Sequence, residues 1–195
     1  VLLVERVVDD FPSAIRQAAF QVVSVATTTG YATTDYLLWP TFVPVLMLLL
    51  GGIVSCAGST GGGIKMVRVL ILAKVASLEL VRLIHPRVIN PVTLGGMTVP
   101  GRVIGAVIAY MLAYGATLVG LSLLMLASGL DVVTAVSAII ACLNNIGPGM
   151  GKVGPASNYA VLTDFQIWLC SLAMMLGRLE LLSVMVLFTP QFWRR

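Results

Sequence analysis

Two stretches of this 195-residue chain are polar without holding a charged side chain. The first, Ser24-Val25-Ala26-Thr27-Thr28-Thr29-Gly30-Tyr31, is a row of small hydroxyl residues closed by one glycine. The second, Asn144-Asn145-Ile146-Gly147-Pro148-Gly149-Met150-Gly151, pairs two amides with three glycines. Neither holds a carboxylate pair, a thiol cluster or a nucleophile beside a base, so neither is equipped for bond-breaking chemistry. What they offer is backbone carbonyl oxygen. Glycine reaches the φ > 0 conformations that keep successive carbonyls turned to one axis, and such oxygens can replace the water around a dehydrated cation. Either stretch alone also reads as an ordinary polar turn. Their recurrence with the same flanking organisation is what favours a pore.

Two further features lie between and after them. Six glycines fall within Gly51 to Gly63, ending in Gly58-Ser59-Thr60-Gly61-Gly62-Gly63-Ile64-Lys65. That run superficially resembles a phosphate-binding P-loop, but Ile64 separates Gly63 from Lys65, Met66 stands where a hydroxyl residue belongs, and no strand precedes it. Arg178 sits inside an otherwise apolar run, where a charge is costly and marks function by default. Glu180 is the nearest acid to it in sequence, but residues two apart on a helix do not face each other. Asp164 reads as an interfacial charge.

The surroundings of these stretches are membrane-like. Hydrophobic residues make up 58% of the chain, charged residues 10%, and the mean hydropathy is +1.01; a soluble domain carries roughly 25% charged residues. The net charge of +4 is not a nucleic-acid signal. The basic residues collect in one loop and one tail, as topology signals do, with no basic helix face interleaved with aromatics. Cys56, Cys142 and Cys170 are far apart in apolar surroundings and read as small buried hydrophobes. His85 reads as a solvated loop residue. Val1 is not a natural start and no cleavable signal peptide opens the chain, so it reads as a piece of something longer.

The elements follow from length and punctuation. Residues 1–11, with Glu5, Arg6, Asp9 and Asp10, belong at a membrane surface. Pro12 suits the first turn of a helix to Val25, with Ser13 near its cap. This helix is too short for the roughly 20 residues a span needs, so it dips in and returns through the Thr-Thr-Thr-Gly stretch. Trp39 is expected at headgroup level. The segment from Pro40 to Ala76 reads as one inner helix broken from Gly51 to Lys65, because each helical glycine costs about 1 kcal/mol. Irregular backbone at membrane depth is tolerated only inside protein or beside a wet cavity. Lys65, Arg68, Lys74, Arg82, His85, Arg87 and Arg102 then face one acid, Glu79, which makes this linker cytoplasmic; Pro86, Asn90, Pro91, Gly95, Gly96 and Pro100 make it turn-rich. Residues 103–128 form an uncharged spanning helix. Asp131 is placed to cap a second short helix, 132–143, that runs into the second polar stretch. Residues 160–188 form the last span, and Trp193-Arg194-Arg195 anchors its cytoplasmic end.

Gly30 and Gly147 are 117 residues apart, and at that offset the two halves correspond element by element. Each reads as short helix, glycine-bearing loop, inner helix, and Gly61 falls beside Arg178. The fold class is therefore all-α membrane protein with helix–re-entrant loop–helix repeats.

Four motifs together resemble one family: Ala26-Thr27-Thr28-Thr29-Gly30-Tyr31, Ala57-Gly58-Ser59-Thr60-Gly61-Gly62-Gly63-Ile64-Lys65, Asn144-Asn145-Ile146-Gly147-Pro148-Gly149, and Gly177-Arg178-Leu179-Glu180. They are similar to the Trk/Ktr/HKT superfamily of potassium transporters, within it to the bacterial Trk-type membrane subunit, and the resemblance covers nearly the whole chain. It implies a potassium-channel-like pore of four repeats, of which this chain would supply two. Residues 1–90 would be the third repeat without its outer helix (pore helix 12–25, filter 26–31, broken inner helix 40–76, linker). Residues 91–195 would be the fourth (outer helix 103–128, pore helix 132–143, filter 144–149, inner helix 160–188). Gly30 and Gly147 match the filter glycines, with K⁺ held by carbonyls of Thr28, Thr29, Asn145 and Ile146. Gly58, Gly61, Gly62 and Gly63 match the intramembrane gate, and Arg178 the inner-helix arginine beside it. The resemblance further implies K⁺ as the transported ion, symport, no organic cofactor or other metal, and no enzymatic activity. It also implies a homodimer in the bacterial inner membrane on a cytoplasmic nucleotide-binding regulatory subunit, with the first and second repeats supplied elsewhere and the C-terminus cytoplasmic. Two loops cannot close a four-sided pore. The alternative is a secondary transporter of a small organic substrate built on broken helices.

Overall fold

The computed structural model describes residues 10–56, 58–59, 61–85, 91–187 and 189–194. The surface segment with Glu5, Arg6 and Asp9, the gate residues Ala57 and Thr60, the linker residues Pro86, Arg87 and Asn90, and Phe188 and Arg195 lie outside these. Helix α1 spans Phe11–Ala26, with Pro12 in its first turn; Asp10 occupies the N-cap, and Ser13 makes no capping bond. Helix α2 spans Phe42–Ile53 and α3 spans Met66–Ile84. A two-stranded hairpin, β1 (Thr93–Leu94) against β2 (Met97–Thr98), interrupts the linker. Helix α4 spans Gly101–Ala127, α5 Val132–Leu143, α6 Asp164–Arg178 and α7 Leu181–Leu187, and a last turn, α8, covers Pro190–Trp193.

Helix α5 starts where the sequence says it should. The Asp131 carboxylate accepts the Thr134 backbone N–H at 3.0 Å and its hydroxyl at 2.9 Å. Those two bonds, chiefly the backbone one, hold the Asp131 carboxyl below the ordinary aspartate range. A lowered folded-state pKa means the cap stabilises fully above the unfolded value of about 3.9 and is lost as pH falls through the lower folded value. Asp131→Ala is expected to cost about 1 kcal/mol at pH 7. Thermal melts should show the gap to the parent protein closing below about pH 4; a gap of constant size down to pH 2 would rule out the titrating cap.

Three helix bounds need correction. The break between α2 and α3 begins at Val54, not Gly51, since Gly51 and Gly52 are helical. Their role is close packing: a Cβ on Gly51 would meet Ile146 Cδ1 at 2.5 Å and the Val25 carbonyl oxygen at 3.1 Å, and one on Gly52 would meet the Asn144 amide at 3.1 Å. Helix α3 also continues eight residues past Ala76 to Ile84, because nothing between them breaks a helix. The largest difference is in the last span. Residues 160–188 do not form one helix: α6 stops at Arg178, Glu180 takes φ 58°, and α7 leaves at 109°. Among the described residues, α4 is the one unbroken helix long and apolar enough to cross a membrane, and α6 with α7 qualifies only as a bent pair.

Packing ties the halves together. Met125, Ala135, Ala138, Ile139, Leu143 and Ala173 are fully buried where α4, α5 and α6 meet. A second cluster joins Val25, Tyr36, Trp39, Met47 and Leu48. Trp39 is thus a core residue, not a headgroup anchor, and Cys56 is exposed where a buried thiol was expected. Ile146, from the second polar stretch, is buried in this first-half cluster. That insertion brings the two loops to one place.

Candidate functional site

Each short helix ends in the same turn. Thr29 N–H donates to the Ser24 carbonyl at 2.9 Å and Thr28 N–H to that of Val25 at 3.1 Å. Ile146 N–H donates to the Ala141 carbonyl at 2.9 Å and Asn145 N–H to that of Cys142 at 3.0 Å. These paired bonds form the Schellman termination, which places one residue in the left-handed region. Thr28 and Asn145 occupy it, both at φ 55°. Asparagine tolerates that conformation; a β-branched threonine there is an outlier. Two residues on, Gly30 (φ 79°) and Gly147 (φ 108°) turn the chain back. Every one of these positions is related to its counterpart by the 117-residue offset.

The two loops touch. A Cβ on Gly147 would lie 3.8 Å from Gly30 Cα, and one on Gly30 would lie 2.1 Å from the Ile146 carbonyl oxygen. Thr28, Thr29, Gly30, Asn145, Ile146 and Gly147 all line one open cavity of about 720 Å³. Among the described residues, no hydrogen bond is donated to the carbonyl oxygens of Thr28, Thr29, Asn145 or Ile146. Backbone oxygens left bare beside a cavity are available to a cation or to water.

The returning strands are tied to their own helices. Ser24 Oγ donates to the Tyr31 carbonyl at 2.6 Å, and Gln21 Nε2 to that of Thr34 at 3.0 Å. In the second half, Met150 N–H donates to Ser137 Oγ at 2.9 Å and Tyr159 Oη donates to the Gly147 carbonyl at 2.8 Å. Tyr36 Oη reaches across to the Gly149 carbonyl at 3.3 Å. Burial, with the Asp35 charge adding to it, pushes the Tyr36 hydroxyl up to about 12, so it remains a donor at any physiological pH.

Beneath the loops lies the glycine-rich connection. Ile64 N–H donates to the Gly52 carbonyl at 2.9 Å, Met66 N–H to that of Ser55 at 3.0 Å, and Ser55 Oγ to that of Gly62 at 2.9 Å. Tyr110 Oη on α4 donates to the Gly63 carbonyl at 3.1 Å. A Cβ on Gly62 would collide with the Asn144 carbonyl oxygen at 2.4 Å, and one on Gly61 would lie 3.6 Å from Thr28 Oγ1. Gly58 faces open space. The root of the connection, Gly61 to Met66, is therefore fastened. Its tip at Cys56 and Ser59 makes only local bonds among the described residues.

Gly61, Gly63 and Arg178 come together around a polar cavity of about 160 Å³, also lined by Lys65, Arg68 and Glu180. The sequence reading put Arg178 beside the glycine break, and it is there. It missed three residues. Asn144 is buried to 1% exposure and accepts the Tyr114 hydroxyl at 2.9 Å, which locks the base of the second loop to α4. Tyr110 stacks under the Arg68 guanidinium at 3.9 Å. Glu180 pairs with Lys65 at 3.0 Å and Arg68 at 3.3 Å. The 117-residue offset places Glu180 over Gly63, and both have positive φ; that correspondence was the available signal.

Comparison with known proteins agrees with this geometry. The TrkH family model, a cation transport protein, matches residues 3–195. The chain is 44% identical over 181 residues to the Trk system potassium uptake protein TrkH of Vibrio parahaemolyticus, covering 93% of this chain and 37% of that protein. It is 42% identical over 194 residues to the TrkH of Salmonella typhimurium, covering 100% of this chain and 40% of that protein. The crystal structure of the potassium transporter TrkH from Vibrio parahaemolyticus superposes with a TM-score of 0.91 at 42% identity, covering 99% of this chain and 41% of that one.

Proposed function

The chain belongs to the TrkH family of cation transport proteins, and from that membership we propose that it carries part of a potassium uptake pore. The two short helices and their loops are re-entrant, and residues 1–90 and 91–195 are the third and fourth of four repeats. Potassium ions exchange water for the carbonyls of Thr28, Thr29, Asn145 and Ile146, with Gly30 and Gly147 setting the turns. Gly58, Gly61, Gly62, Gly63 and Arg178 form a barrier below. The observation that carries this reading is the contact between two loops of the same turn geometry, whose residues line one cavity and whose carbonyls accept no hydrogen bond among the described residues.

The assembled protein is a homodimer in the bacterial inner membrane, with its C-terminus cytoplasmic beside a nucleotide-binding regulatory subunit. Uptake of labelled Rb⁺ by cells whose transporter carries these residues should be competed by K⁺ and untouched by a panel of amino acids. Competition by an amino acid would instead support an organic-substrate transporter.

Arg178 supplies the next test. Arg178 lines the cavity beneath the loops with Gly61 and Gly63. Arg178→Ala is expected to raise Rb⁺ flux about tenfold, the scale set by one unit charge about 10 Å from an ion at an effective dielectric constant near 20. Flux that stays level or falls would remove the barrier role.

A further inference from the structure

The carbonyl oxygens around the cavity that the two loops share are not all alike. Those of Thr28, Thr29, Gly30, Asn145 and Ile146 accept no hydrogen bond among the described residues. The Gly147 carbonyl does, from Tyr159 Oη at 2.8 Å. Gly147 N–H donates to no described group, so this is the one hydrogen bond to the Gly147 backbone among the described residues.

Tyr159 is set in place from two sides. It opens a 3₁₀ turn, Tyr159–Val161, and the Asn158 side chain caps that turn by accepting the Ala160 N–H at 3.0 Å. Behind it, the buried thiol of Cys142, one residue before the end of α5, donates to Tyr159 Oη at 3.8 Å. A tyrosine hydroxyl can accept one such bond and donate another. Tyr159 thus ties α5 to the loop that leaves it.

The residue it holds is the one least able to hold itself. Glycine has no Cβ to restrict its backbone, and Gly147 stands at φ 108°. Its neighbours on either side are fastened elsewhere: Ile146 N–H to the Ala141 carbonyl at 2.9 Å, and Gly149 N–H to that of Val153 at 2.9 Å. The Ile146 oxygen, one peptide earlier, lies 2.1 Å from where a Cβ on Gly30 would stand. A turn of Gly147 therefore moves a carbonyl of one loop across the face of the other.

We infer that Tyr159 is a positioning residue for ion selection, whose hydroxyl fixes Gly147 and through it the Ile146 carbonyl against the first loop. The inference rests on the pore reading above. Selection by ring size and selection by carbonyl number both depend on where these oxygens stand.

The test uses the full-length transporter and labelled Rb⁺ uptake, competed by K⁺ and by Na⁺. Tyr159→Phe keeps the ring and removes the donor. It is expected to lower the K⁺ over Na⁺ preference about 2- to 12-fold, the span that one hydrogen bond covers. A merely structural role would reduce the amount of active transporter, and with it total uptake, but not the ratio. An unchanged ratio in assembled Tyr159→Phe would overturn the inference. A ratio that rises would overturn it too, since the bond would then be withholding an oxygen from the ion. If Tyr159→Phe does not assemble, 3-fluorotyrosine placed at this position alone is the second variant. Its more acidic hydroxyl is a stronger donor and is expected to raise the preference; a ratio at or below the parent's would count against Tyr159. Parent uptake that K⁺ does not compete would refute the pore reading itself, which keeps the two failures apart.

Discussion

Gly177→Ala is expected to destabilise the protein by about 3 kcal/mol or more, the upper range for overpacking against atoms that cannot rotate away. Gly177 lies in α6, where helix propensity alone would make alanine better by about 1 kcal/mol. Sterics decide the sign. The added Cβ would sit 1.8 Å from the Leu143 carbonyl oxygen and 2.7 Å from its carbon, with the Asn145 amide at 3.1 Å. Both atoms of Leu143 are backbone, at the end of α5 where the second loop begins. The clash therefore pushes α6 off the loop or forces the loop upward. Thermal melts of the purified protein check this, with Gly120→Ala as the control, because a Cβ there meets nothing within 4 Å. Equal melting temperatures for the two variants would mean that α6 and α5 are not as closely joined as described.

The second large effect is on selection. Gly30→Ser should cut K⁺ over Na⁺ preference by about 5- to 150-fold, the range that corresponds to 1–3 kcal/mol. That is the strain of holding a non-glycine residue at a φ near 79°. Its Cβ would also fall 2.1 Å from the Ile146 carbonyl oxygen, so both loops must shift to accept it. Competition of labelled Rb⁺ uptake by Na⁺ and by K⁺ measures the ratio. A ratio equal to the parent's would detach Gly30 from selection.

Sequence alone reached the loops because their chemistry is local. Asp131 announces the start of α5, and a polar run with glycine announces its end, so residues 132–143 coincide with the helix observed. It was misled where glycine serves contact instead of flexibility. Gly51 and Gly52 remain helical because Val25, Ile146 and Asn144 press on them, and those neighbours are far away in the chain. The opposite error occurred at Leu179-Glu180, where the chain turns by 109° with no glycine or proline to mark it. There tertiary partners make the turn: Leu181 and Val184 bury against the cluster around α4, and Glu180 reaches Lys65 and Arg68. Asn144 was similarly invisible, since a buried amide gains its meaning from Tyr114, thirty residues away.

The unequal fastening of the glycine-rich connection bears on speed. Its root is held by Gly52, Ser55, Tyr110 and Asn144, whereas Cys56 and Ser59 hold only each other among the described residues. Moving the fastened root would have to carry α3 with it, which belongs to the microsecond-to-millisecond motions of whole helices.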